Sequence, residues 1–126
     1  IDSEQNEKPD LSLTYKLFNE NGLAGNGIME IRNPDEFKLY QNYPNPFNNF
    51  TTIKYDMAEE GDINITIFDL EGRLVKSFVY SNQLPGYKTL SWDGTNNYGL
   101  KLSSGIYFYI MQIANYKKMK KMIILK

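Results

Sequence analysis

The chain contains neither cysteine nor histidine. Without cysteine there is no disulfide, no thiolate nucleophile and no cysteine-based metal site. Without histidine the commonest general base and the commonest metal ligand are both missing. Few groups remain for enzymatic chemistry, so neither catalysis nor a cofactor is expected. Acidic residues are absent from one end: none follows Asp93, whereas Lys101, Lys117, Lys118, Lys120, Lys121 and Lys126 do. No apolar run approaches the roughly eighteen residues a membrane span needs, and no segment keeps an uninterrupted helical apolar period. The sequence opens on Ile1 and a polar run from Asp2 to Asp10, with neither an initiator Met nor a basic-then-apolar leader. That opening is the one expected of a fragment of a longer protein.

A chain of 126 residues suits one ordinary domain, or a small domain with part of a neighbour. Its charge divides it: residues 1–36 hold eight acids and three bases, residues 37–126 seven acids and eleven bases. A basic end fits contact with anionic lipid or nucleic acid. It also fits an edge strand guarded by lysines against sheet-to-sheet pairing, which is the simpler reading. No nucleic-acid partner is expected.

Leu11, Leu13, Tyr15 and Leu17 alternate with Ser12, Thr14 and Lys16, and Ile28 to Arg32 offers a return strand, so residues 1–36 read as a linker or the tail of an upstream module with a candidate hairpin. Asn33-Pro34-Asp35-Glu36 marks the boundary and an accessible place for proteolysis. From Phe37 onward the spacing predicts strands over Thr51 to Met57, Asp62 to Asp69, Leu74 to Tyr80, Tyr87 to Trp92, Gly105 to Ala114 and Met119 to Leu125. Turn signals separate them, the signature of an all-β fold. The expectation for 37–126 is an immunoglobulin-like antiparallel β-sandwich of about seven strands. Ile63, Ile65 and Ile67 share one face, and Trp92, the single tryptophan, is the natural centre of the core. Ile106 to Ile113 is apolar on both faces, as for a strand covered on each side, and Met122 and Ile124 alternate with Ile123 and Leu125 in the same sense. Pro44 and Pro46 fix φ and remove two donors, which predicts an extended, edge-like lead-in. Gly72 and Gly105 stand where a turn needs positive φ or close backbone approach.

Asp93, Thr95 and Asn97 have the spacing that opens a calcium-binding loop, but Tyr98 replaces the required glycine and Ser104 the closing glutamate, so no metal site is expected. Glu59 and Glu60 are adjacent and cannot converge as a catalytic pair.

Leu39-Tyr40-Gln41-Asn42-Tyr43-Pro44-Asn45-Pro46-Phe47-Asn48 is followed by Thr51-Thr52-Ile53-Lys54-Tyr55, by Ile65 to Val75 with its Asp69-Leu70-Glu71-Gly72 turn, by Trp92-Asp93-Gly94, by Ser104-Gly105-Ile106-Tyr107-Phe108, and by Lys121-Met122-Ile123-Ile124-Leu125-Lys126. In that order and spacing the motifs resemble type A C-terminal sorting domains of the type IX (Por) secretion system of Bacteroidetes and related phyla. Asn49 and Leu84-Pro85-Gly86 depart from the family pattern but keep turn chemistry. The resemblance implies a secretion and sorting signal that takes a larger passenger through the periplasm and across the outer membrane, to the cell surface or the medium. It implies as partners the type IX translocon and a sortase-like cell-surface peptidase, and a monomer. It puts recognition on Pro44, Asn45, Pro46, Phe47, Gly105, Tyr107, Lys121, Met122 and Lys126.

Two readings from other classes compete. Ten tyrosines on a sandwich suit a carbohydrate-binding module. An immunoglobulin-like module resembling that of flagellar hook-capping proteins shares the Asp69–Gly72 and Trp92–Gly94 elements. The Pro-Asn-Pro-Phe-Asn opening and the lysine-ended last strand stand against the second.

Overall fold

Ile63, Ile65 and Ile67 alternate with Asn64 and Thr66, and all three are completely buried in the computed structural model, which describes residues 32–126. The alternating segment 11–17, and 28–31 of its return strand, lie outside the described residues. Among the described residues there are seven strands, and the longer ones repeat this alternation: β1 (Lys38–Leu39), β2 (Thr51–Met57), β3 (Gly61–Asp69), β4 (Leu74–Gln83), β5 (Gly86–Trp92), β6 (Gly105–Ile113) and β7 (Tyr116–Ile124). Two antiparallel sheets result, in the orders β1-β2-β5 and β4-β3-β6-β7. Their inner faces share one core, so the all-β, immunoglobulin-like expectation holds, with β4 on the larger sheet.

Trp92 lies at the centre, 1% exposed, with its indole N–H donated to the Thr95 carbonyl at 2.9 Å. Phe47 packs on it at 5.7 Å between ring centroids and an interplanar angle of 56°. Removing such an aromatic from a core costs about 3–5 kcal/mol. Three core tyrosines keep a partner for the hydroxyl: Tyr55 donates to Gln83 Oε1, Tyr107 to the Ser103 carbonyl and Tyr109 to the Tyr40 carbonyl. Packing thus accounts for these rings, whereas Tyr43, Tyr87 and Tyr98 are exposed.

Several expectations need correction. The lead-in is not extended: residues 44–46 bend, and both Tyr43–Pro44 and Asn45–Pro46 are cis. β4 runs on to Gln83 and β7 starts at Tyr116, because each lengthens by pairing with a neighbour. Among the described residues, β6 is covered on one face alone. Tyr107, Tyr109, Met111 and Ile113 are buried, but Phe108 and Ile110 are half-buried and Ile106 is exposed. In β7 Met122 and Ile124 are buried, Ile123 is half-buried, and Leu125 is exposed beyond the strand end.

Turn chemistry follows the residues. Gly72, at φ +86°, donates its N–H to the Asp69 carbonyl. The Asp69 carboxylate takes the amides of Glu71 and Arg73 and the Arg73 guanidinium at 2.7 Å, and these bonds hold its pKa below the usual carboxylate range, that from the Arg73 amide foremost. Gly105 is near-extended at φ +158° and opens β6. The two-residue link between Ile113 and Tyr116 is less well matched, since Ala114 sits there at φ +51°. A left-handed conformation costs an L-residue about 1–2 kcal/mol, and glycine returns part of that gain as unfolded-state entropy. The substitution Ala114→Gly is therefore expected to stabilise the domain by up to about 1 kcal/mol, read as a higher urea midpoint at unchanged m-value.

Candidate functional site

β7 is flanked on both sides. β6 pairs with it along its length, from Gly105 opposite Ile124 to Ile113 opposite Tyr116. On its other edge the chain between Gln41 and Phe47 forms a strap. Gln41 Nε2 donates to the Lys121 carbonyl at 2.7 Å, and the Ile123 amide donates to Asn45 Oδ1 at 2.9 Å. The Phe47 amide donates to the Ile123 carbonyl at 3.1 Å and the Leu125 amide to the Phe47 carbonyl at 2.9 Å, a parallel bridge centred on Ile124. Four hydrogen bonds therefore join the opening motif to the closing one.

The strap is fixed from below by a buried polar group. Asn42 is 2% exposed, and its backbone amide donates to the Tyr109 hydroxyl at 2.8 Å. Its Nδ2 donates to Thr51 Oγ1 at 2.8 Å and to the Pro44 carbonyl at 3.2 Å, while its Oδ1 accepts from Gln41 Nε2. Thr51 in turn donates to the Pro44 carbonyl, and Tyr43 exchanges backbone bonds with Thr52. A buried amide is tolerated because its donors and its carbonyl oxygen all have partners.

The Trp92-Asp93-Gly94 motif supports the same place. Gly94 adopts φ +78°, and a Cβ built there would lie 3.7 Å from Phe47 Cε2. Asp93 Oδ1 accepts from the Thr95 hydroxyl at 2.6 Å and the Thr95 amide at 3.2 Å, with the hydroxyl bond first among the causes that lower its pKa. Asn97 caps β4 through its Oδ1, which takes the Ser77 amide. Residues with calcium-loop spacing are thus engaged in holding the loop.

The nine residues expected to carry recognition fall into two groups. Pro44, Asn45, Pro46, Lys121 and Lys126 are exposed along the seam, whereas Phe47, Tyr107 and Met122 are buried beneath it. Gly105 is half-buried beside Ile124, and the Lys126 amide donates to Ser104 Oγ at 3.0 Å. Gln41, Asn42, Thr51, Ser104 and Tyr109 hold this arrangement but were not singled out as site residues. All but Tyr109 fall inside the quoted motifs, Gln41 and Asn42 in the opening one, Thr51 at the head of the next and Ser104 before Gly105.

The family model described as the secretion system C-terminal sorting domain matches residues 41–125. Dimeric latent PorU from Porphyromonas gingivalis is similar at 26% identity and a TM-score of 0.58, over 78% of this chain. PorZ, an essential bacterial surface component of the type-IX secretion system of the same organism, is similar at 19% identity and a TM-score of 0.50, over 70% of this chain. The chain spans 10% of the PorU chain and 11% of the PorZ chain. FlgD from Xanthomonas campestris, connected with hook capping, is similar at 18% identity and a TM-score of 0.50, over 69% of this chain and 64% of its own. The PorZ and FlgD likenesses are of fold alone. No curated protein matches the chain in sequence.

The buried Tyr109 hydroxyl, which donates to Tyr40 and accepts from Asn42, gives the strap a pH dependence. Burial raises its pKa from 10.0 to about 12. The folded state keeps this proton where the unfolded chain has released it, so the stability it contributes is full below about pH 10 and lost as pH rises toward 12. Tyr109→Phe is expected to flatten the fall of the urea midpoint between those pH values. At neutral pH it should cost about 1–3 kcal/mol, because two buried backbone groups lose their partner.

Proposed function

Because the chain belongs to the secretion system C-terminal sorting domain family, we propose that the seam between the strap and β7 is the surface it presents to the type IX translocon. Domains of this family are sorting signals for type IX secretion. The observation that carries the reading is the join itself: Phe47 bonded to Ile123 and Leu125, with Asn45 and Gln41 alongside. Pro44, Asn45, Pro46, Lys121 and Lys126 are the groups a receptor touches. Phe47, Tyr107 and Met122 act from the core by holding those groups in place.

On this reading residues 37–126 are the signal and residues 1–36 lead to a passenger. The domain works as a monomer and takes no part in catalysis. Its further partner is a sortase-like cell-surface peptidase that separates the passenger from the signal. Since Pro34 is buried within the compact unit from Asn33 to Lys126, the cut belongs on the N-terminal side of that unit. The passenger ends at the cell surface or in the medium.

A reporter fused ahead of the wild-type chain, in a host with the secretion system, is expected outside the cell. Deletion of residues 121–126 removes β7's half of the seam and should hold the reporter in the periplasm. Lys121→Gln with Lys126→Gln keeps the seam and should change stability by less than about 0.5 kcal/mol. If the deletion blocks export and the double variant does not, seam geometry matters and the charges do not. Pro44→Ala with Asn45→Ala alters the exposed strap and removes the Asn45 bond to the Ile123 amide while leaving the core side chains in place. Export should fall although circular dichroism and the melting curve still report a folded domain. Equal export of the deletion variant would overturn the assignment of the signal to this strand.

A further inference from the structure

The smaller sheet, β1-β2-β5, turns polar and aromatic groups outward. Register sets Lys38 and Tyr87 on either side of Asp56, Thr89 beside Lys54, and Ser91 and Tyr43 on either side of Thr52. Directly paired residues share a face, so these line one surface. Tyr87 is 67% and Tyr43 79% exposed, and neither ring belongs to the core or to a ring pair among the described residues. They flank β2 at Asp56 and Thr52, four residues apart, or about 13 Å at strand rise. Hydroxyl and amine groups fill the space between.

The face also holds a carboxylate with spare capacity. Asp56 shares the outward side with Lys38 and Tyr87, yet it is 7% exposed. Its Oδ2 accepts the Tyr40 hydroxyl at 2.6 Å, while Oδ1 accepts no hydrogen bond from a described residue. Tyr40 is itself held in place, with Lys38 Nζ 4.8 Å and Lys54 Nζ 5.5 Å from its ring centroid. A buried carboxylate ordinarily has its acceptor positions filled. One oxygen here stands ready for a donor that a ligand brings.

Net charge does not choose that ligand. Lys38 and Lys54 are answered by Asp56 on the face, by Glu36 just before β1 and by Glu59 and Glu60 just after β2. A phosphate-rich partner would meet the acids as well as the ammonium groups. What remains is an exposed ring, a carboxylate acceptor and several donors on a flat sheet, which is the chemistry of a sugar chain: apolar C–H faces to stack and hydroxyls to give and take hydrogen bonds. Two rings set well apart on a flat surface suit an extended chain.

We propose that the outer face of β1-β2-β5 binds a neutral, β-1,4-linked polysaccharide. A sugar ring stacks on Tyr87, its hydroxyls donate to Asp56 Oδ1, and Lys54 and Thr89 donate to sugar oxygens. None of these four residues belongs to the seam, so the proposal does not rest on the sorting reading.

Calorimetric titration of the full chain with β-1,4-linked glucose and mannose oligosaccharides tests it. Binding of one or both in the millimolar range or tighter is expected, and added salt should leave it unchanged because the ligand is uncharged. Tyr87→Ala, at an exposed position, should weaken binding by about tenfold at an unchanged urea midpoint. Asp56→Asn keeps an acceptor for Tyr40 and should weaken binding by about tenfold through loss of the charged acceptor. Tyr98→Ala alters an exposed ring in the loop after β5 and should change nothing. No heat with either sugar at millimolar concentration would overturn the proposal, as would equal losses for Tyr98→Ala and Tyr87→Ala. Binding that salt abolishes, or tighter binding of oligothymidylate with the same dependence on Tyr87, would also overturn it, because the face would then serve a polyanion.

Discussion

Phe47 gives its amide to Ile123 and takes the amide of Leu125, while its ring packs on Trp92. Through one residue the first motif of the domain is tied to the last strand and to the centre of the core. The rest follows from keeping that residue in place. Gly94 carries no side chain where it passes the ring, Asn42 and Thr51 fix the bend before it, and Tyr109 reaches up from β6 to hold the strap at Tyr40 and Asn42. Motifs that look like separate signatures along the sequence are components of one joint.

The strap also solves an edge problem. A strand at the margin of a sheet offers unpaired amides and carbonyls to any passing strand. Here the strap occupies one stretch of β7, and the Asn97 loop occupies part of β4 through the Val75 carbonyl and the Ser77 amide. What remains is protected by charge. Register gives Lys76, Lys88, Lys118 and Lys120 the same facing as the buried Ile67, Tyr55, Met111 and Tyr109, although each lysine lies on an outer strand. Lys88 shows the cost, since burial lowers its pKa. A second chain adding to these edges would cover the ammonium groups.

Much of this was legible in the sequence. The isoleucines of β3 and the Leu90–Trp92 pair declare their inner face by period two, and turn residues set most strand limits. What was hidden depends on contacts between distant residues. β1 has two residues and no period to detect; only its pairing with Asp56 and Tyr55 defines it. The bends at Pro44 and Pro46 could not be read from proline's preference for extended neighbours. The apolar outer face of β6 looks like a strand covered on both sides, because composition records apolarity and not what lies against it. Within the candidate site the exposed groups belong to recognisable motifs. Asn42 and Thr51 lie in those motifs too, but their role escapes, as Tyr109 does outside them, because a satisfied buried hydrogen bond leaves no periodic trace.

The join between residues 41–47 and 121–125 has a consequence for how the polypeptide is made. The first partner leaves the ribosome long before the second, and with nothing to pair against it the strap lacks its four bonds to β7. A polypeptide interrupted anywhere before Ile123 lacks the closing partner however well its earlier strands form. An incomplete or frameshifted product therefore cannot assemble the joint, so closure of the joint is itself a mark of a complete domain.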